Sequence, residues 1–427
     1  MSNPAGNIPP TGLSIVVIGG GLCGVASALA LRKSGHRVTV LERSPELREI
    51  GAGIQLPPNA TRLLQKWGVL DDVRKLANEP VEGALRSWRG TVITRPPQGP
   101  AVERAYQVPF LVVHRADLLN VLVEAALKQG VEIKLGCDVA AVDFATSTVR
   151  LSTGVTYKAD LILGADGERS VCRNELLGRQ DLPRSTGDKV VRIVVSRGDI
   201  TKDHPSWELV QKPSVNVWMG PGAHAVSYLL RGETLNVVLV HTDDSEAPVM
   251  YGPQPIDLHH VKSYFAGWDP VVQGLLDAPH TFCSQWTLLH IDEVADWSHQ
   301  NGSFLLIGDA AHAMLPYMAQ GAAQAFEDAG VLGAIFSSVT DKRQVPEAVE
   351  VFKRVRQPRV ARVRQATLAQ QAMNKLADGP LQEGRDRQLA QSTGTTQIWD
   401  WLWGYDAVLD GERAWQDYTK SSGADKE

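Results

Sequence analysis

The stretch Ser14–Ser44, "SIVVIGGGLCGVASALALRKSGHRVTVLERS", decides the fold. Ser14–Ile18 is an unbroken apolar, β-branched run, the pattern of a strand buried on both faces of a parallel sheet. Gly19, Gly21 and Gly24 follow, in the spacing G-x-G-x-x-G. Val25–Lys33 is rich in Ala and Leu and favours helix. Gly35 stands where a helix-ending glycine belongs. Val38–Leu41 is a second strand, closed by Glu42. The unit reads as strand, turn, helix, strand, with a right-handed crossover. In such a unit Gly19 permits the tight turn, Gly21 lets backbone approach a pyrophosphate, and Gly24 lets helix pack on strand. The helix N-terminus offers free N–H groups to phosphates. Glu42 is set to accept hydrogen bonds from ribose hydroxyls. The competing reading is a plain helix-packing glycine turn. The unit binds a dinucleotide, and by itself leaves open whether that is a nicotinamide or a flavin.

A second stretch bears on that choice: "LLIGDAAHAMLPYMAQGAAQAFEDAG", Leu305–Gly330. Phe304–Ile307 is a buried strand, and Asp309 then stands at its carboxyl end, where a ligand's polyol chain could be held. A loop with Pro316 leads to Gly321-Ala322, which open a helix. Small residues there admit a flat ring close to the backbone. The positive end of the helix dipole favours negative charge on that ring. A reduced flavin carries such a charge and a ribityl chain; a nicotinamide has neither. Two further motifs are "GADGERSVCR", where Asp166 follows the strand Leu161–Gly164, and "HRADLLNVL", where Arg115 opens a helix.

Between these motifs the chain changes character. Gly51–Gln65 is a loop entering a helix, with Asn59 as a candidate cap. Val81–Val108 reads as short strands and turns. Arg115–Lys128 is an amphipathic helix, and a further strand is expected at Val131–Leu135. From Asp188 to Val240, strands recur between Gly, Pro and Asp, as in an antiparallel sheet. Pro346–Leu376 is long, basic and helical, and the polar tail after Thr419 is expected to be disordered. The fold class is thus α/β: a Rossmann-like cofactor domain with an inserted antiparallel-sheet domain and C-terminal helices. The expected division gives residues 12–80, 105–178 and 286–345 to the cofactor domain. Residues 81–104 and 179–285 form the substrate domain, and 346–427 the C-terminal segment and tail.

The 427 residues are 43% hydrophobic and 21% charged, ordinary for a globular chain. A net charge of −5 argues against nucleic acid as a partner. The four cysteines are scattered, without a C-x-x-C pair, which suits free thiols in a reducing compartment. The start carries no signal-peptide pattern, and no apolar run reaches the ~18 residues of a spanning helix. The expectation is a cytoplasmic protein without membrane insertion, monomeric or homodimeric. His259 and His260 have no ligand at metal spacing, so no metal is expected.

Taken in order, the glycine fingerprint with Glu42, "HRADL", "GADGERS" and "GDAAHAMLPYMAQGAAQAFEDA" resemble the single-component FAD-dependent aromatic monooxygenases. Their fold is that of the para-hydroxybenzoate hydroxylases. "WMGPGAHAVSYLLRGETLNVV" and "WDWLWGYDA" resemble the salicylate-hydroxylase-like branch, with its fungal natural-product members. The resemblance implies FAD as resident cofactor. Glu42 would hold the adenosine ribose, Gly53 and Arg115 would lie along the cofactor, and Asp309 would bind the ribityl chain. Gly321-Ala322 would face the isoalloxazine, and Asp166 would touch both nucleotides more loosely. It further implies NADPH or NADH as a transient co-substrate, O2, and hydroxylation of a small electron-rich aromatic through a C4a-hydroperoxyflavin. Arg192 matches an arginine of this branch that points towards substrate or flavin, and Tyr228 a substrate-contacting tyrosine. The alternatives for these two are a structural ion pair and sheet packing. His241 could reach the pocket from a strand end. His312 suits support of its loop, the basic run Lys353–Arg364 a solvated helix face, and Trp399, Trp401 and Trp403 packing of the C-terminal segment. Two other functions compete: indole epoxidation with rearrangement, and a non-catalytic flavin- or prenyl-binding carrier of the same fold.

Overall fold

The apolar runs at Ser14–Ile18, Arg37–Leu41, Leu161–Gly164 and Phe304–Leu306, with the short Glu132–Lys134, form one parallel sheet. The computed structural model describes residues 12–47, 53–243, 249–250, 252–392 and 397–424. The five strands lie in the order Phe304–Leu306, Leu161–Gly164, Ser14–Ile18, Arg37–Leu41, Glu132–Lys134, with every neighbouring pair parallel. Ile15, Val17, Val40, Leu163 and Leu305 are fully buried, as a sheet covered on both faces requires. The chain builds outward from Ser14–Ile18 first to one side, then to the other. That first strand is therefore a topological switch point, and the carboxyl ends beside it form a crevice.

A second sheet has seven strands, in the order Phe282–His290, Arg184–Ser196, Thr234–Thr242, Ala223–Leu230, Ser214–Gly220, Glu82–Ser87, Val92–Thr94. It is antiparallel apart from the parallel pair Ser214–Gly220 and Glu82–Ser87. Side chains alternate across it with period 2. Val191, Ile193, Ala225, Val237 and Leu239 face one way, into a core shared with the helices Leu258–Tyr264 and Pro270–Asp277. Val226, Tyr228 and Leu230 face the other way, towards Met314, Met318, Val363 and Trp403. That second face looks onto the segment carrying Met314 and Met318 and onto the C-terminal helices.

Several expectations are corrected. Asn59 does not cap its helix, which begins at Pro58 after Pro57; its amide instead donates to Gln320 and Glu327 at 3.0 and 2.8 Å. Residues Pro100–Tyr106 form a helix inside the segment expected to be strands and turns. The polar tail is helical from Ala407 to Ala424. The strand Phe282–His290 runs across the expected 285/286 division. Lys353–Arg364 is not simply a solvated face, because Arg356 and Arg359 are buried. Among the described residues no helix is long and apolar enough to cross a membrane.

Candidate active site

The glycine turn sits at the carboxyl end of the central strand. Gly19 has φ +108°, and a Cβ there would lie 2.4 Å from the Ala165 carbonyl oxygen of the neighbouring strand end. A Cβ on Gly24 would lie 2.0 Å from the Gly19 carbonyl oxygen. Both positions therefore require glycine. At Gly21 a Cβ would meet nothing within 4 Å, so the turn faces open space there. Gly21 precedes the helix Leu22–Lys33, whose first turn has no acidic residue and no side-chain cap. Its N–H groups are left to an anion. Glu42 accepts from the Gly20 and Ser44 amides at 2.7 and 2.8 Å, which fixes its carboxylate at the crevice edge with lone pairs to spare.

Asp166 and Asp309 behave differently. Asp166 accepts from the Ser170 hydroxyl and, at 3.0 Å, from the Cys172 amide. It thereby orders the start of the helix Val171–Leu177. Buried Arg173 bonds Asp181 at 3.0 Å and the Ala310 carbonyl at 3.0 Å, joining this motif to the one carrying Asp309. Asp309 itself is exposed, and no described residue donates to it. Beyond it, Pro316–Met318 is a single 3-10 turn, Ala319 takes a left-handed φ of +54°, and Gly321 opens the helix Gly321–Phe336. That helix also starts without an acidic residue or side-chain cap, and a Cβ on Gly321 would meet nothing within 4 Å. Ala322 follows, half-buried. The open glycines, the uncapped helix starts and the unbonded Asp309 fit an adenine dinucleotide with a polyol chain.

Gly53 and Arg115 are brought together by a two-stranded ribbon in which Gly53 pairs with His114. A Cβ on Gly53 would lie 2.5 Å from the Tyr228 ring, so the ribbon touches the seven-stranded sheet at that tyrosine. Tyr228 is buried, and burial pushes its hydroxyl up to about 12, against the pull of Arg192. Arg192 shares this face, opposite Ser284 on one neighbouring strand and Val238 on the other. Its guanidinium lies 5.4 Å over the Trp286 ring, yet its Nε has no hydrogen-bond partner. No carboxylate pairs with it among the described residues. Burial lowers its pKa, Tyr228 offsets this, and the nearby Arg115 charge lowers it further. Ser284 Oγ and Asn236 Nδ2, also buried, lack partners too. His241 faces the opposite way, stacked on Tyr264 at 3.9 Å, and so does not reach this face.

A buried ion network behind the turn went unread in the sequence. Arg356 donates to Asp328 at 2.7 Å and to Glu327 at 2.6 Å; Arg359 donates to Glu327 at 3.0 Å and to the Trp401 carbonyl at 2.7 Å. Asp328 also takes the Gly308 amide at 2.9 Å and pairs with His312 Nε2 at 2.7 Å. His312 thus supports its loop. The available signal was an adjacent Glu-Asp pair inside the otherwise apolar "GAAQAFEDAGVLGAIF". Such acids are buried only with partners. Trp399 and Trp403 stack at 5.2 Å and pack the C-terminal segment beside Tyr106 and Phe110.

A model of the FAD binding domain family matches residues 13–367. The chain belongs to the FAD-dependent monooxygenases. It is 38% identical to the FAD-dependent monooxygenase OpS4 of Beauveria bassiana (strain ARSEF 2860), over 94% of this chain and 97% of that one. It is 37% identical to the 3-hydroxybenzoate 6-hydroxylase of Polaromonas naphthalenivorans (strain CJ2), over 83% and 86% respectively. In fold it is similar to CtdE in complex with FAD and a substrate, with TM-score 0.83 and 19% identity over 97% and 100% of the two chains. It is likewise similar to a salicylate hydroxylase substrate complex, with TM-score 0.80 and 23% identity over 95% and 98%. This monooxygenase therefore shares with its relatives the cofactor domain, the sheet-rich second domain and the C-terminal helices.

Proposed function

We propose that this monooxygenase uses NADPH or NADH and O2 to hydroxylate a small, electron-rich aromatic of the phenolic or salicylate type. One observation carries the reading. A half-buried guanidinium without a counter-anion among the described residues, Arg192, shares a sheet face with Tyr228 and with two polar atoms that lack partners, the Ser284 hydroxyl and the Asn236 amide nitrogen. Even a half-buried cation left unpaired costs stability unless a ligand supplies the anion. The hydroxybenzoate-acting relatives favour a phenolate or carboxylate in that role.

Glu42 would hold the adenosine ribose, the Gly19–Gly24 turn the pyrophosphate, and Asp309 the ribityl chain. Gly53, Arg115 and Asp166 would flank the cofactor, with Pro316, Gly321 and Ala322 at its ring. When bound, FAD supplies the redox chemistry that reduces O2 and transfers one oxygen atom. Arg192 would hold the substrate's oxygen substituent as its anion, which enriches the ring in electrons. Tyr228 would fix the ring's orientation. Val226 and Val238, in the same cross-strand row as Arg192, would keep water away. We also assign residues 12–80, 105–178 and, after the strand Phe282–His290, 291–345 to cofactor binding, and 81–104 with 179–290 to substrate. The working unit is a monomer or homodimer.

The test is nicotinamide oxidation by purified, FAD-loaded protein with a panel of phenols, hydroxybenzoates and indoles, with product measured per nicotinamide consumed. Phenolic substrates should stimulate oxidation and gain one oxygen. Stimulation by indoles alone would replace this reading with epoxidation. A protein that takes up FAD but consumes no nicotinamide with any arene would sink it.

A further inference from the structure

The strand Arg184–Ser196 carries an irregularity between Ser185 and Lys189, where it has more residues than its partner strand Phe282–His290. Gly187 sits inside it with φ +81°. Bulges of this kind re-aim side chains beside active sites. Here the re-aimed residue is Asp188, fully buried and on the same face as Arg192. Its carboxylate accepts from four donors on three elements: the Tyr317 hydroxyl, Gln371 Nε2 at 2.6 Å, Lys375 Nζ at 2.6 Å and the Thr242 hydroxyl at 3.0 Å. Thr242 is on the neighbouring strand. Gln371 lies near the end of the long helix Val345–Asn374, and Lys375 just beyond it. Tyr317 belongs to the Pro316–Met318 turn, which leads through left-handed Ala319 into the helix at Gly321. The Tyr317 ring also lies against buried His224, 5.2 Å between centroids.

The Pro316–Met318 turn is exposed at Pro316 and half-buried through Ala319. It has one backbone hydrogen bond of its own, from the Ala319 amide to the Pro316 carbonyl, at 3.1 Å. So short a segment does not hold its own shape. What fixes it is the hydroxyl of Tyr317, bonded to a carboxylate that a lysine and two further donors hold in place.

We propose that Asp188 is a positioning residue for the reaction: through Tyr317 it latches the turn 316–320 to the substrate-side sheet. This rests on the reading that the turn and the start of its following helix face the FAD ring. Lys375 and Gln371 serve the latch by holding the carboxylate, and the bulge at Gly187 exists to point it inward. The latch makes one carboxylate answer to the cofactor turn, the substrate sheet and the C-terminal helix together.

The experiment is amide hydrogen exchange on the FAD-free protein, which needs neither cofactor nor substrate. It therefore stays decisive if the monooxygenase reading of the site fails. Tyr317→Phe deletes only the latching hydroxyl and keeps the ring on His224. Exchange in 313–320 should rise about tenfold, as expected for one lost hydrogen bond to a charged group. Protection in the seven-stranded sheet should stay unchanged. Asp188→Asn should loosen the same segment, and the double variant should be no looser than Asp188→Asn alone. With FAD bound, the flavin's visible band should shift in Tyr317→Phe. Exchange in 313–320 within twofold of the parent, loosening spread over the whole sheet, or effects that simply add in the double variant would each overturn the latch. If Asp188→Asn does not fold, the Tyr317→Phe exchange decides alone.

Discussion

Replacing Arg192 by methionine should raise the protein's heat stability and cut its turnover at once. Methionine keeps the apolar stem that packs in the sheet and removes only the guanidinium. Withdrawing such an ion from water costs several kcal/mol where no anion answers it. Two features reduce that cost here. The residue is half-buried, so water recovers part of it. The Trp286 ring 5.4 Å away returns about 1 kcal/mol more. The remainder, about 1–2 kcal/mol, is the stability gain expected in the absence of substrate. For a chain of this size that is a melting temperature higher by about 1–2 °C. Turnover moves the other way. A hydrogen bond to a charged group contributes about 1.5–3 kcal/mol, which corresponds to a fall in kcat/KM of about 10- to 150-fold. The assay pairs a thermal melt of FAD-loaded, substrate-free protein with product formation from its best phenol. If Arg192→Met melts several degrees lower than the parent, the guanidinium is a structural partner and the reasoning is wrong.

Gly24→Ala should abolish FAD uptake, read as loss of the flavin absorption band, because its Cβ would sit 2.0 Å from the Gly19 carbonyl oxygen. Arg356→Met strands Glu327 and Asp328 without their main cation and should cost about 3–5 kcal/mol in denaturant unfolding; a midpoint unchanged from the parent would refute the network's role. Burial pushes the Asp328 carboxyl up, but His312 and Arg356 outweigh it and hold it at about 2, below its usual 3.8. A depressed carboxyl stabilises the fold above its unfolded value, so this contribution should be full at neutral pH and vanish as pH falls from about 4 to about 2. The stability gap between parent and Asp328→Asn, measured by denaturant titration across that range, should close accordingly.

What could be read from sequence was what backbone geometry dictates. Gly19 and Gly24 admit no side chain, Ser14–Ile18 can only be an interior strand, and an uncapped helix start after small residues is visible in "AQGAAQA". The alternation that puts Arg192 and Tyr228 on one face is likewise written in the strands. What could not be read depended on pairing between distant segments. Asn59 looked like a cap because Asn before an apolar run usually is one, but Glu327, 268 residues later, claims its amide. The Arg356 and Arg359 side chains read as solvated because charge in a helix usually is. They lie on the buried stripe with Val349, Phe352, Val360 and Val363, and only the acids of the facing helix explain why. His241 stood at the right distance along its strand but on the wrong face, a one-residue difference that period 2 makes decisive.

The two sets of charge differ in a way that supports the proposed place of the chemistry. Glu327, Asp328, Arg356 and Arg359 are at most 9% exposed, and each carboxylate meets a guanidinium. These paired charges hold the Gly308 amide and the His312 ring still. Arg192, Ser284 and Asn236 are the reverse: a cation, a hydroxyl and an amide on one face, each with a polar atom unanswered. Folding alone selects against that arrangement, since every such atom costs stability. That open face, and the full pairing of the charges behind the cofactor turn, follow from one requirement. The turn must be rigid without a ligand, whereas the sheet face must be finished by one. Substitutions in the network should therefore lower stability and FAD retention together, and substitutions on the face should separate stability from turnover.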